Sequence, residues 1–131
     1  MRLPPRLTAI NTPYWTGGLA GQLLITRCLS CGYWNHPPSA LCRRCLSAEV
    51  DPVPTSGDAT VVTYTVNHQR WSPDATPDPY VIAIVELPEQ AGLRQITNIV
   101  NCAVDDVHIG MPVRVTFRRF ADVALPLFEP V

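Results

Sequence analysis

The sequence predicts a mainly β chain in two parts, a small metal-stapled module followed by a barrel of four or five short strands. Three observations carry this expectation. Fourteen prolines in 131 residues oppose long helices and favour turns, extended segments and sheet edges. Two Cys-X-X-Cys pairs, with ten residues between them, put four thiolates within reach of one ion. Downstream, short runs rich in Val, Ile, Thr and Tyr recur between turn residues, as half-buried strands require. A hydrophobic fraction of 47% can supply a core, and a charged fraction of 16% argues against disorder along most of the length.

Residues 1 to 11 carry prolines and mixed polar side chains without a period, so they read as an arm that orders against something else. Thr12-Pro13 is a helix-start signal, the threonine hydroxyl being able to cap free N–H groups and proline being tolerated in the first turn. The short helix would carry Tyr14, Trp15 and Leu19, while Gly17, Gly18 and Gly21 make its stability depend on packing. Leu23 to Thr26 reads as a strand leading into the first cysteine pair. After the second pair, Val50 to Asp58 holds Pro52, Pro54, Ser56 and Gly57, which reads as turn and linker and places a boundary there. The parts expected are an arm with a short helix over 1–22, a metal ribbon over 23–55 and a barrel over 56–131.

In the second part, Thr60 to Val66 is a strand with Val62, Tyr64 and Val66 on one face. Ser72 to Pro79 is an exposed loop, Tyr80 to Leu87 a second strand, Glu89 to Gly92 a turn and Leu93 to Val100 a third strand. Val104 to Ile109 holds at most a turn or two of helix before Gly110. Val113 to Phe120 then alternates, with Val113, Val115 and Phe117 facing one way and Arg114, Thr116 and Arg118 the other. Leu125 to Phe128 would close the sheet. This order suits a small Greek-key barrel of the OB type, with a β-sandwich fragment as the alternative.

Cys28, Cys31, Cys42 and Cys45 are the candidate metal ligands. A spacing of two lets both sulfurs of a tight knuckle point at one ion, and four thiolates complete a closed tetrahedral set suited to one structural zinc. A four-thiolate iron site would satisfy the same chemistry, and colour would separate the two. Two disulfides or a redox dithiol fit less well in a chain placed in the cytoplasm, because its start lacks the apolar stretch of a signal peptide. Gly32 fits the turn after the first pair, and the second pair lacks that glycine. His36 is a poor ligand candidate beside four sulfurs. Cys102 stands alone and reads as a small buried apolar residue.

No catalytic constellation is visible: His68 and His108 have no Ser, Asp or Cys at a convincing spacing, and four protein ligands leave the metal no open position. All ten basic residues are arginine, which excludes a lysine Schiff base, and the formal charge of −1 counts against strong binding to a phosphate backbone. Arg43-Arg44 and Arg118-Arg119 read as solvated charge. No apolar run approaches the roughly 20 residues of a membrane span. Three tryptophans are more than such a barrel needs inside, so Tyr14, Trp15, Leu19, Trp34, Pro37, Pro38, Trp71 and Tyr80 are the candidate partner or ligand surface. An accessory domain is the leading reading. The competing one is a single-stranded nucleic-acid module with stacking aromatics.

Thr12-Pro13-Tyr14-Trp15, Gly21-Gln22-Leu23, Arg27 to Gly32, Pro37-Pro38 and the second cysteine pair together resemble the rubredoxin-like zinc-ribbon plus OB-fold family once labelled domain of unknown function 35. Gly57 before a Val-Thr-Tyr-Thr strand, Pro79-Tyr80, Gly110-Met111-Pro112-Val113 and Pro126-Leu127-Phe128-Glu129-Pro130 extend the resemblance over nearly the whole chain. Arg43 departs from it, since members often carry proline there. The resemblance implies an N-terminal helical hairpin, a zinc ribbon and an OB barrel that does no chemistry itself. It implies docking on a thiolase-fold acyl-CoA enzyme, with acyl-CoA held at or near the interface and a heterotetramer or larger assembly. The branch it is most similar to is actinobacterial and accompanies an enoyl-CoA hydratase of steroid side-chain breakdown, whose thiolase-like partner is an aldolase, a carbon–carbon lyase. Nucleic acid and membranes are not expected partners.

Overall fold

The computed structural model describes residues 4–68 and 78–131. Helix α1 (Thr12–Thr16) continues into a 3-10 turn (Gly17–Ala20) that ends on Gly21 at φ 74°. Asn11, not Thr12, occupies the cap position and makes no capping side-chain bond, its Oδ1 accepting the Thr8 N–H at 2.7 Å, while the Thr12 hydroxyl donates to the Thr8 carbonyl at 2.5 Å. The glycines serve close approach: a Cβ on Gly18 would lie 2.3 Å from Phe117 Cδ1 and 2.7 Å from the Ala124 Cβ. Helix stability is thus obtained by packing bare backbone onto the barrel.

Strand β1 (Leu24–Cys28) lies between β2 (Trp34–Asn35) and β3 (Val50–Pro54) in a three-stranded antiparallel sheet. The proline-bearing stretch expected as a linker is therefore in part a strand. Its outer position explains how. Thr55 N–H donates to the Leu23 carbonyl and Leu29 N–H to that of Glu49, so the odd-numbered residues of this segment face β1. Pro52 and Pro54 then stand where an N–H would point away from the sheet, and no ladder bond is lost.

The barrel consists of β4 (Asp58–Asn67), β5 (Tyr80–Glu86), β6 (Arg94–Ile99), β7 (Pro112–Phe120) and β8 (Val123–Pro130), closed in the order β4-β5-β6-β8-β7. All neighbours are antiparallel except β6 and β8, which run parallel and meet at Ile99 and Phe128. A 3-10 turn at Val104–Asp106 interrupts the chain before β7, so the fold is the expected five-stranded Greek-key barrel. The closing strand is longer than Leu125 to Phe128. In β4 the register shifts between Val61 and Thr63, so Ala59 and Val61 bury before the bulge and Val62, Tyr64 and Val66 are half-buried after it. Gly57 at φ 87° precedes β4, its backbone backed by the Val115 side chain.

One core joins the two sheets. Tyr14, Leu23, Ile25 and Trp34 pack in the same cluster as Val61, Val81, Val85, Val113 and Phe128. A side-chain clip strengthens the joint: Gln90, in the turn between β5 and β6, donates from Nε2 to the Trp34 carbonyl at 3.0 Å and accepts the Trp34 N–H on Oε1 at 2.9 Å. Glu89 accepts the Ser56 N–H at 2.8 Å beside it. Among the described residues no helix is long and apolar enough to cross a membrane.

Candidate metal centre and partner surface

The end of β1 delivers Cys28, and the turn that follows returns Cys31. Cys42 and Cys45 come from a second turn held by Cys42 N–H to the Ser47 carbonyl. In both turns the N–H of the residue after the second cysteine donates to the carbonyl of the first cysteine at 2.9 Å, from Gly32 to Cys28 and from Leu46 to Cys42. That geometry needs positive φ. Gly32 sits at 81°, and Leu46 adopts 64° where the second turn lacks glycine.

The four Sγ atoms lie within 4.8 Å of one another. Cys28 and Cys45 approach to 3.5 Å and Cys31 and Cys42 to 3.7 Å, far beyond a disulfide bond. A tetrahedron of Zn–S bonds of about 2.3 Å places its sulfurs about 3.8 Å apart, so the donor set fits one zinc ion with no fifth position. The surroundings favour thiolate at Cys28 and Cys42. The Cys31 N–H, 3.4 Å from Cys28 Sγ, holds that thiol below its ordinary value. Burial opposes ionisation of Cys42, but the N–H groups of Cys45 and Arg44 outweigh it and lower the thiol to about 6. The Ser47 N–H favours a Cys45 thiolate, yet the neighbouring sulfurs and burial push it up to about 12. Four sulfurs this close cannot all ionise unless a cation sits among them.

Asn35 braces the second turn, its Oδ1 accepting the Arg43 N–H at 2.9 Å, and the Ser30 and Ser47 hydroxyls join the two turns at 3.1 Å. His36 is not among the ligating atoms. Cys102 is half-buried against the core, and burial raises its thiol.

A cavity of about 680 Å³ lies between the arm, α1, the ribbon and the outer side of β5 and β6. Of the surface candidates it gathers Tyr14, Trp15, Pro37 and Pro38, together with His36, considered from the sequence only as a poor metal ligand, and Ile10, Ile84, Gln95 and Ile96, which the sequence reading did not single out. Leu19 and Tyr80 are exposed elsewhere. Trp34 lies in the core, with the Arg27 guanidinium 4.7 Å above its ring, and Trp71 lies outside the described residues. Of these isoleucines Ile84 left a trace: Tyr80 to Leu87 is apolar at nearly every position, although only alternate residues can face a barrel interior. The outer residues of these strands are what face the cavity.

His36 leans on Tyr14, ring centroids 4.9 Å apart, with Nδ1 buried and without a hydrogen-bond partner. Burial, aided by the Arg43 charge, lowers its pKa to about 4. The folded state therefore holds a neutral imidazole where the unfolded chain protonates near 6.5. The resulting stability is complete above that value and is lost as pH falls toward 4. The stability gap between wild type and His36→Gln should shrink by about 3 kcal/mol from pH 7 to pH 4 in denaturant titrations. A gap independent of pH would contradict the burial argument.

Two family models match, the rubredoxin-like zinc ribbon domain of ChsH2 over residues 15–51 and the C-terminal OB-fold domain of ChsH2 over 52–118. The chain is 36% identical to the "Probable enoyl-CoA hydratase alpha subunit" of Thermomonospora curvata, over 99% of this chain and 40% of that protein. It is 39% identical to a "DUF35 domain-containing scaffold protein" of Methanocaldococcus jannaschii, over 76% and 70%. It is 38% identical to the "3-oxo-4,17-pregnadiene-20-carboxyl-CoA hydratase alpha subunit" of Mycobacterium tuberculosis, over 89% and 36%. The chain thus spans less than half the length of the two hydratase subunits. A chain of the solved "Ltp2-ChsH2(DUF35) aldolase" superposes with a TM-score of 0.83 at 36% identity, covering 97% of this chain and 98% of that one.

Proposed function

This chain belongs to the DUF35 family in its ChsH2 form, a rubredoxin-like zinc ribbon with one structural zinc and an OB-fold barrel, and on that premise we propose that it is a non-catalytic accessory subunit or domain of an aldolase complex. Its partner is a thiolase-fold subunit that cleaves a carbon–carbon bond of a β-hydroxyacyl-CoA in steroid side-chain degradation. One observation carries the reading: the whole chain, and not one module of it, superposes on nearly all of a chain from an aldolase assembly. The steroid name of the Mycobacterium tuberculosis relative gives the substrate class its support.

In this reading the chain divides into 1–22, 23–55 and 56–131, works in the cytoplasm, and assembles as a heterotetramer or larger. Tyr14, Trp15, Pro37 and Pro38, with Leu19 and Tyr80, form the surface that meets the partner and helps to enclose its acyl-CoA site. Cys28, Cys31, Cys42 and Cys45 hold zinc in a closed set, so the ion supports the ribbon and takes no part in chemistry. The outward side of β5 and β6, which in OB barrels commonly carries the ligand, offers Ile82, Ile84 and Ile96 here and not the basic, aromatic lining suited to single strands.

The test is co-expression with a thiolase-fold aldolase subunit, followed by cleavage assays with and without this chain. A stable complex whose carbon–carbon cleavage depends on the chain is the expected result. No complex and no dependence would overturn the proposal, and an oligonucleotide titration would then be the next measurement.

A further inference from the structure

The second metal turn and the cavity are joined by one side chain. Between Cys31 and Cys42 the chain makes an excursion in which His36, Pro37 and Pro38 form the ribbon side of the cavity. Two prolines in a row have no N–H to give, so this wall is fixed through its acceptors and not through a ladder of its own. Arg43 supplies the donor. Its guanidinium donates from Nη2 to the Pro37 carbonyl at 2.7 Å, and its backbone N–H donates at 2.9 Å to Oδ1 of Asn35, a buried residue of β2. The two bonds fall on the residues either side of His36.

Arg43 is itself fixed from the metal side. Cys42, which precedes it, is completely buried, its Sγ receiving the Arg44 N–H at 3.4 Å and its carbonyl the Leu46 N–H at 2.9 Å. On its far side the wall bears on α1, because the His36 ring lies 4.9 Å from that of Tyr14. His36 Nδ1 has no hydrogen-bond partner among the described residues, so that atom adds no anchor. Arg44 carries the same charge as Arg43, yet its guanidinium lies 6.0 Å from the centre of the Tyr33 ring and makes no hydrogen bond to the wall among the described residues.

We propose that Arg43 is a positioning residue through which the second metal turn sets the His36-Pro37-Pro38 wall, and with it the shape of the surface offered to the thiolase-fold partner. This rests on the accessory reading above, in which Pro37 and Pro38 belong to the partner surface.

The experiment titrates a purified thiolase-fold aldolase subunit with full chains of wild type, Arg43→Ala, Arg43→Lys and Arg44→Ala, each assayed for zinc, and follows the His36 ring of the free chains by NMR across pH. Arg43→Ala should keep one zinc per chain and bind about tenfold more weakly, the worth of one charge-assisted hydrogen bond that orders the surface. Its His36 midpoint should rise from about 4 toward 6.5, because the wall opens to water and a neighbouring positive charge is gone. Arg43→Lys keeps the charge and can still donate, so it should recover part of the affinity. Arg44→Ala removes the same charge and should match wild type in binding and midpoint. A Pro38→Gly background separates a wall effect from direct contact: Arg43→Ala should cost little more there, whereas an undiminished loss would make Arg43 a contact in its own right and overturn the positioning role. Equal binding by wild type and Arg43→Ala, an equal loss in Arg44→Ala, or loss of zinc in Arg43→Ala would also overturn it and leave the accessory reading standing. A wild type that does not bind would overturn the accessory reading, and the His36 midpoints alone would then decide whether Arg43 holds the wall.

Discussion

Replacing Cys42 with serine is expected to leave the chain with almost no zinc and no ordered ribbon, the largest single effect anticipated for this protein. Cys42 is fully buried, its sulfur receives the Arg44 N–H at 3.4 Å, and its carbonyl and N–H hold the second turn. Structural zinc supplies folding energy outright in modules of this size, whose own sheet is too small to stand alone. Here that sheet includes a strand of two residues and another with three of five positions exposed. Metal analysis should give one zinc per wild-type chain and near zero for Cys42→Ser, and a strong chelator should reproduce the change. The damage should not stop at the ribbon, because Leu23, Ile25 and Trp34 belong to the core shared with the barrel. Amide exchange in β5 and β6 should therefore rise as well. A variant with full zinc content would remove Cys42 from the ligand set.

Phe128→Ala should produce the second largest loss, about 3–5 kcal/mol or roughly 10–20 °C in melting temperature. The ring is completely buried, and its residue is the junction where β8 meets both β7, opposite Val115, and β6, opposite Ile99. Its carbonyl also accepts the Val100 N–H at 2.8 Å. Truncation empties the centre of the barrel at the point of closure. Zinc content should remain at one per chain, which separates this variant from the cysteine variant. Chemical denaturation with the same slope and a lower midpoint is the expected signature, and a loss below about 1 kcal/mol would place the ring outside the core.

What the sequence made legible follows how local each interaction is. The cysteine spacing, Gly32 and the alternation of Val113 to Phe117 are local patterns, and each has its expected place in the structure. The strand at Val50–Pro54 was hidden because proline opposes sheets in general, and only its edge position makes it harmless. The β4 bulge was hidden because one extra residue exchanges the faces without altering composition. Trp34 was counted among candidate surface aromatics, and it lies in the core with its backbone clipped by Gln90, 56 residues away. The cavity shows the same limit: Tyr14, Trp15, Pro37 and Pro38 stood out as conspicuous residue types, whereas Ile84 and Ile96 needed the sheet to reveal which way they face.

The prolines of the outermost ribbon strand also shape how this protein can associate. An incoming strand needs a row of outward N–H donors to extend a sheet, and at Pro52 and Pro54 that row is missing. Continuous growth of the ribbon sheet into fibrils or strand-swapped dimers is thereby blocked at that border. Whatever the ribbon contacts there must be recognised through side chains, so affinity can be altered residue by residue without a shared backbone ladder to maintain it.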